Sequence, residues 1–201
     1  EANYAKNFRP ENRYMTCDVS LYGADQFVIF VWHNLRIINL HVMPKATPEI
    51  VESTIRYLCR RHKVPQSNIC YDSDGIGQYL RGFLVNAYPF INNATPTKKH
   101  SVYREQFKNI KAQCYFELAD KINKGEIYIS DKIAGKYKDS IIEECSLIKN
   151  RSHMTDNKVG GLTKEELRDA LGRAPDFSDA MMMRMVWEVK RARRYVTRGN
   201  K

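Results

Sequence analysis

Apolar residues in the first 45 positions fall in short runs of β character. One run, Tyr14-Met15-Thr16-Cys17, ends at Asp18. A second covers Gln26 to Trp32 and holds Phe27, Val28, Ile29, Phe30 and Val31, and a third runs from Leu35 to Val42 with Ile37, Asn39 and His41 in alternation. Only His33-Asn34 separates the second and third runs, which predicts an antiparallel hairpin, because Asn34 tolerates the left-handed backbone of such a turn. The link from Ser20 to Asp25 carries Gly23 and reads as another turn.

Helical periodicity begins further on. Pro44 and Thr47-Pro48 open a predicted helix from Glu49 to His62, with Ile50, Ile55 and Leu58 on its apolar side. After Val64-Pro65 comes a brief strand, Asn68 to Asp72, and Gly75-Ile76-Gly77 then turns the chain into another helix. Asn92 to Ser101 is a loop with Pro96, and a helix from Val102 to Lys124 is ended by Gly125. A strand from Glu126 to Ile129 and a helix from Lys136 to Lys149 follow, then a polar turn or hairpin over Asn150 to Gly161. Thr163-Lys164-Glu165-Glu166 is a capping box for a short helix ended by Gly172. Pro175 opens a final helix reaching Tyr195. This order predicts an α/β domain with a mixed sheet whose first three strands form an antiparallel meander.

With 201 residues and 43% hydrophobic content, the chain reads as a single domain over 1–201, with a flexible lead-in at 1–12 and a basic tail at 196–201. The start lacks an initiator Met and is polar from Glu1 to Glu11, as expected of a segment of a larger protein. No long uncharged apolar run or secretory pattern is present, so the segment reads as soluble and intracellular. Five cysteines without a CxxC spacing support neither a disulfide framework nor a thiolate zinc site. The one Gly-Lys pair, Gly135-Lys136, is followed by Tyr137 and has Ser130 in place of the first glycine, so there is no Walker A loop.

Charge changes the picture. With 33 Lys+Arg against 23 Asp+Glu, the formal net charge is +10. Against this basic background three acidic groups stand at element ends: Asp18, then Asp72 and Asp74, then Asp176 and Asp179. Asp18 and Asp72 each close an apolar strand, and Asp176 and Asp179 lie three apart, on the helix face that also carries Met183 and Val186. Clustered carboxylates repel and are tolerated when cations neutralise them. An all-oxygen ligand set selects Mg²⁺ or Mn²⁺ over zinc. Two such ions about 3.5 to 4 Å apart would activate water and stabilise the leaving oxygen of a phosphodiester. Taken singly, Asp176 suits a helix cap as well as a ligand, and Asp74-Gly75 suits a plain turn. Cys70 and Arg81 occupy the first and last ligand positions of a calcium loop, and Leu80 replaces the third glycine of a dinucleotide fingerprint, which excludes both.

The runs Cys17-Asp18-Val19-Ser20-Leu21-Tyr22-Gly23-Ala24-Asp25, Tyr71-Asp72-Ser73-Asp74-Gly75-Ile76-Gly77 and Leu171-Gly172-Arg173-Ala174-Pro175-Asp176-Phe177-Ser178-Asp179-Ala180 resemble, in order and spacing, the nuclease domain of the large terminase subunit of tailed bacteriophages. The resemblance implies a ribonuclease H-like fold and cleavage of concatemeric viral DNA during packaging, in the cytoplasm of a bacterial host. It implies Asp18, Asp72 and Asp179 as catalytic acids and Asp18, Asp72, Asp176 and Asp179 as ligands of two Mg²⁺ or Mn²⁺ ions, with Asp74 a second-tier acid. It further implies double-stranded DNA, an ATPase motor domain, a portal and a small terminase subunit as partners. A junction resolvase or transposase-like nuclease of the same fold, and a non-catalytic DNA-binding packaging module, are the alternatives.

Candidate DNA contacts come from basic residues: Lys98, Lys99 and Arg104, with His100, Lys108 and Lys111 nearby; Lys158 and Lys164 before the last helix; and Arg191 and Arg194, with Lys190, Arg193 and Arg198, at its end. Either run alone also suits a solvated helix face. Phosphate contacts suffice for cleavage with little sequence preference. The Met181-Met182-Met183 run with Met185 reads as core filling, and the five histidines are scattered.

Overall fold

A computed structural model describes residues 12–21, 25–97, 107–148 and 164–191. Five strands, β1 (Arg13–Asp18), β2 (Phe27–His33), β3 (Arg36–Met43), β4 (Ile69–Asp72) and β5 (Tyr88–Phe90), form one sheet in the order β3-β2-β1-β4-β5. β1 and β2, and β2 and β3, pair antiparallel, whereas β4 runs parallel to both β1 and β5. The expected meander and mixed sheet are therefore present. Asn34 takes the left-handed conformation in the hairpin turn, with φ 54°.

Alternation along β1 sorts side chains onto two buried faces. Tyr14, Val28, Phe30, Trp32, Cys70 and Phe90 form one core with the helices that follow β5. Met15, Cys17, Ile29, Val31, Ile69 and Tyr71 form another, covered by α1 (Pro48–His62) and the 3₁₀ helix Gly75–Gly82. Every residue of β2 is buried, since this strand lies between two neighbours and two helical layers. Thr47 caps α1 by accepting from the Ile50 N–H, and Lys63 closes it in the left-handed conformation. The buried stripe of α1 is Val51, Ile55 and Leu58; Ile50, expected on that side, is 40% exposed, one residue step of about 100° off the i, i+4, i+7 row.

The first face is covered by α2 (Ile110–Asn123), α3 (Asp131–Ala134), α4 (Lys138–Ser146), α6 (Asp176–Met183) and α7 (Met185–Arg191); α5 (Lys164–Leu171) precedes α6. Several boundaries differ from the sequence reading. Helix α2 starts at Ile110 rather than Val102, because Asn109 is extended and caps the Ala112 N–H at 2.8 Å. The expected strand at Glu126–Ile129 is a single parallel bridge between Arg36 and Tyr128. Strand β5 was not signalled: it is three residues long, and Pro89 at its centre suits an edge strand, where a missing N–H costs no ladder bond. The helix expected from Lys136 to Lys149 is preceded by α3 and a 3₁₀ turn, Gly135–Tyr137, and the described part of it ends at Ser146.

The last helix is broken at Arg184. That side chain is fully buried: its guanidinium lies over the Tyr14 ring at 4.0 Å, and its Nε donates to the Asn34 carbonyl at 3.1 Å. Nη1 pairs with Glu188 at 2.9 Å. The junction of α6 and α7 is thereby tied to the β2–β3 hairpin. All four methionines at 181–183 and 185 are buried core residues. The five cysteines are free thiols. No described helix is long and apolar enough to cross a membrane. Residues 1–11 of the expected lead-in 1–12, the expected turn or hairpin at 150–161 and the tail 196–201 lie outside the described residues.

Candidate metal centre

Strand pairing brings the first two acids together. β1 and β4 are parallel neighbours with Cys17 opposite Tyr71, so the next residue on each strand is Asp18 and Asp72, at the same end of the sheet. By alternation both follow the face of Thr16 and Cys70, the face on which α6 packs. Helix α6 brings Asp176 and Asp179 in its first turn. Asp18 feels the charges of the other three carboxylates. Burial, and then the charges of Asp179, Asp72 and Asp176, push Asp18 well above the ordinary carboxylate range, while the Lys111 ammonium opposes them. Burial also raises Asp72, against the Asp74 N–H that bonds to it, and Asp74 and Asp179 add to the rise. Asp176 is pushed up to about 7, first by burial and then by Asp25, Glu144 and Asp179.

Lys111 is placed differently from the sequence reading. Rather than joining a solvated basic face, its Nζ lies 2.8 Å from Asp179 Oδ1. Its own burial works against the charge, but Asp179, Asp18 and Asp72 more than offset that and keep it protonated. Tyr115, one turn along α2, donates to the same Oδ1 at 2.5 Å. The signal in the sequence was the i, i+4, i+7 spacing of Lys111 with Tyr115 and Leu118, which puts the lysine on an apolar row.

Asp176 does not act as a helix cap. Its Oδ2 accepts from the Gln26 N–H at 2.9 Å, bracing the segment before β2, where Asp25 pairs with Arg168 of α5 at 2.7 Å. The N-terminus of α6 is capped instead by Glu144, a residue the sequence reading missed. Its carboxylate is wholly buried, its Oε2 accepts from the Ser178 N–H at 2.7 Å, and its Oε1 pairs with Arg173. Burial raises Glu144, against its bonds from Arg173 and Ser178.

Asp74 is a turn and tether rather than a member of the cluster: its N–H bonds to Asp72 Oδ1 at 3.0 Å and its Oδ2 accepts from the Asn92 N–H at 2.8 Å. Gly75 takes a left-handed φ of 64°, and Gly77 sits so close to the end of β4 that a Cβ there would lie 1.8 Å from the Asp72 carbonyl oxygen. The Gly-x-Gly spacing thus serves the approach of the 3₁₀ helix to the Asp72 backbone.

Among the described residues, no three acidic, histidine or cysteine side chains stand close enough to form a ready-made chelate. The donor set nevertheless fits a hard divalent cation: it is all oxygen, and Asp179, Asp72 and Asp176 raise the affinity of Asp18 for positive charge. Of the candidate DNA contacts, Lys98, Lys99, Arg104, Lys158 and Arg194 lie outside the described residues; Lys164 opens α5 and Arg191 closes α7, with their side chains outside the described set.

These shifts set the sign of a pH dependence. Asp18, Asp72, Asp176 and Glu144 all hold protons more tightly folded than an unfolded carboxylate does, so their stabilisation is complete below the unfolded value of about 4. It is lost as pH rises through the folded values, about 7 for Asp176. In chelator, the urea midpoint of the wild type relative to Asp176→Asn is therefore expected to fall between weakly acidic and weakly alkaline buffer. An unchanged difference would contradict the shift.

A five-stranded mixed sheet with an opening antiparallel meander and helices on both faces is a ribonuclease H-like fold. The chain shares this fold with the nuclease domain of the large terminase subunit gp2 of bacterial virus Sf6, at a TM-score of 0.73 and 19% identity over 92% of this chain and 93% of that one. A mutant of the same Sf6 domain with manganese and β-thujaplicinol is similar at 0.73 and 19%, over 92% of each chain. The large terminase nuclease of thermophilic phage G20c is similar at 0.57 and 18%, over 89% of this chain and 84% of that one. No protein-family model and no curated protein matches the chain in sequence.

Proposed function

We propose that this chain is a divalent-metal-dependent endodeoxyribonuclease that cuts concatemeric viral DNA during genome packaging, with little sequence preference. The observation that carries the reading is the convergence of Asp18 and Asp72, from adjacent parallel strands, with Asp179 from α6, on a fold whose relatives are terminase nucleases. Manganese in a related Sf6 structure supports the choice of ion.

Asp18, Asp72 and Asp179 would hold the ions, and Asp176 holds the Gln26 segment while adding negative charge. Two Mg²⁺ or Mn²⁺ ions bound there would supply Lewis acidity toward a phosphodiester and a nucleophilic water. Lys111 balances the carboxylates with its positive charge. Gly77 and Glu144 keep the ends of β4 and α6 in register, so that the acids meet without rearrangement of the backbone. The net charge of +10 favours phosphate binding, and that binding should weaken with salt. In a phage-infected bacterial cytoplasm the domain would act beside an ATPase motor domain, a portal and a small terminase subunit.

Incubation of the purified chain with supercoiled plasmid and Mn²⁺ or Mg²⁺ is expected to give nicked and linear products, none of which form in chelator. Salt-sensitive DNA binding with no cutting under any divalent ion would overturn the assignment in favour of a binding module. Preference for a four-way junction over linear duplex would redirect it to a resolvase.

A further inference from the structure

Helix α2 sends two donors to one oxygen. Lys111 Nζ and Tyr115 Oη both reach Asp179 Oδ1, at 2.8 and 2.5 Å, from positions one helical turn apart. The two differ in what they do when a cation arrives. The ammonium is itself a positive charge and competes with a metal ion for the carboxylate. The phenol is neutral and does not compete.

Tyr115 is also held on its other side. It is buried, and its hydroxyl lies 3.2 Å from Ser178 Oγ, whose single proton can go to it or to the Pro175 carbonyl at 3.3 Å. The contacts of Tyr115 with Ser178 and Asp179 link the first turn of α6 to the middle of α2. Both bonds fall on Oδ1.

We infer that Tyr115 is a positioning residue for the carboxylate of Asp179, orienting it for metal through a hydrogen bond to Oδ1. The inference rests on the metal-site reading above. Partners that orient a ligating carboxylate are worth about 10–100-fold in metal affinity or activity.

Tyr115→Phe keeps the ring and removes only the hydroxyl. Mn²⁺ binding to wild type, Tyr115→Phe and Asp18→Asn, followed by calorimetric titration without DNA, separates the two ideas. Tyr115→Phe is expected to bind Mn²⁺ about 10-fold or more weakly. The Mn²⁺ concentration for half-maximal cleavage should rise by the same factor, with the KM for DNA unchanged. A folded Tyr115→Phe that binds Mn²⁺ as tightly as wild type overturns the inference and leaves the metal site standing. A wild type that binds no better than Asp18→Asn sinks the metal site and the inference with it.

Discussion

Asp18→Asn is expected to lose cleavage and, without metal, to gain stability. Asp18 carries a heavily opposed charge: burial, then Asp179, Asp72 and Asp176 disfavour its ionised form, and Lys111 favours it. An amide of the same shape removes that repulsion but cannot bridge cations. Cleavage under Mn²⁺ should fall by at least about 100-fold, the scale for removing one electrostatic contributor from an active site. In chelator at weakly alkaline pH the thermal midpoint should rise, by about 2–4 °C for each kcal/mol relieved in a chain of this size. Added Mn²⁺ should then stabilise the wild type more than the variant. A variant that melts below the wild type in chelator would show that Asp18 is held by favourable contacts rather than tolerated for function.

The second large effect lies behind the cluster. Arg173 binds Glu144 and also Glu143 at 3.1 Å, the Ala174 carbonyl at 3.2 Å and the Ser140 carbonyl at 3.4 Å, joining α4 to the turn before α6. Glu144 has no solvent exposure, whereas the Arg173 side chain is 34% exposed. Arg173→Ala therefore strands a buried carboxylate, which costs roughly 3–5 kcal/mol. Urea unfolding at neutral pH measures this directly. Glu144→Gln in the same background should recover much of the loss, because the amide oxygen still accepts the Ser178 N–H and no charge is left unpaired. If the double variant is no more stable than Arg173→Ala, the guanidinium acts by packing rather than by pairing.

Where the sequence reading succeeded, the signal was local. Asn34 between two apolar runs fixes a hairpin because few residues accept its backbone conformation. Thr47-Pro48 starts α1, and Gly125 and Gly172 follow the ends of α2 and α5 with positive φ, since caps depend on one or two residues. It failed where a distant partner decides. Pro89 in β5 and the single bridge at Tyr128 depend on which strand lies alongside, and the break at Arg184 coincides with a guanidinium bonded to a carbonyl 150 residues earlier.

The same division runs through the site. That Asp18 and Asp72 end strands, and that Asp176 and Asp179 share a helix face, was written in periodicity alone. That Lys111 turns inward, that Tyr115 grips Asp179, that Asp176 braces Gln26 and that Glu144 caps α6 belongs to the tertiary structure. Backbone geometry places a residue on its own element, but the energy of a buried charge depends on the charges that folding brings beside it.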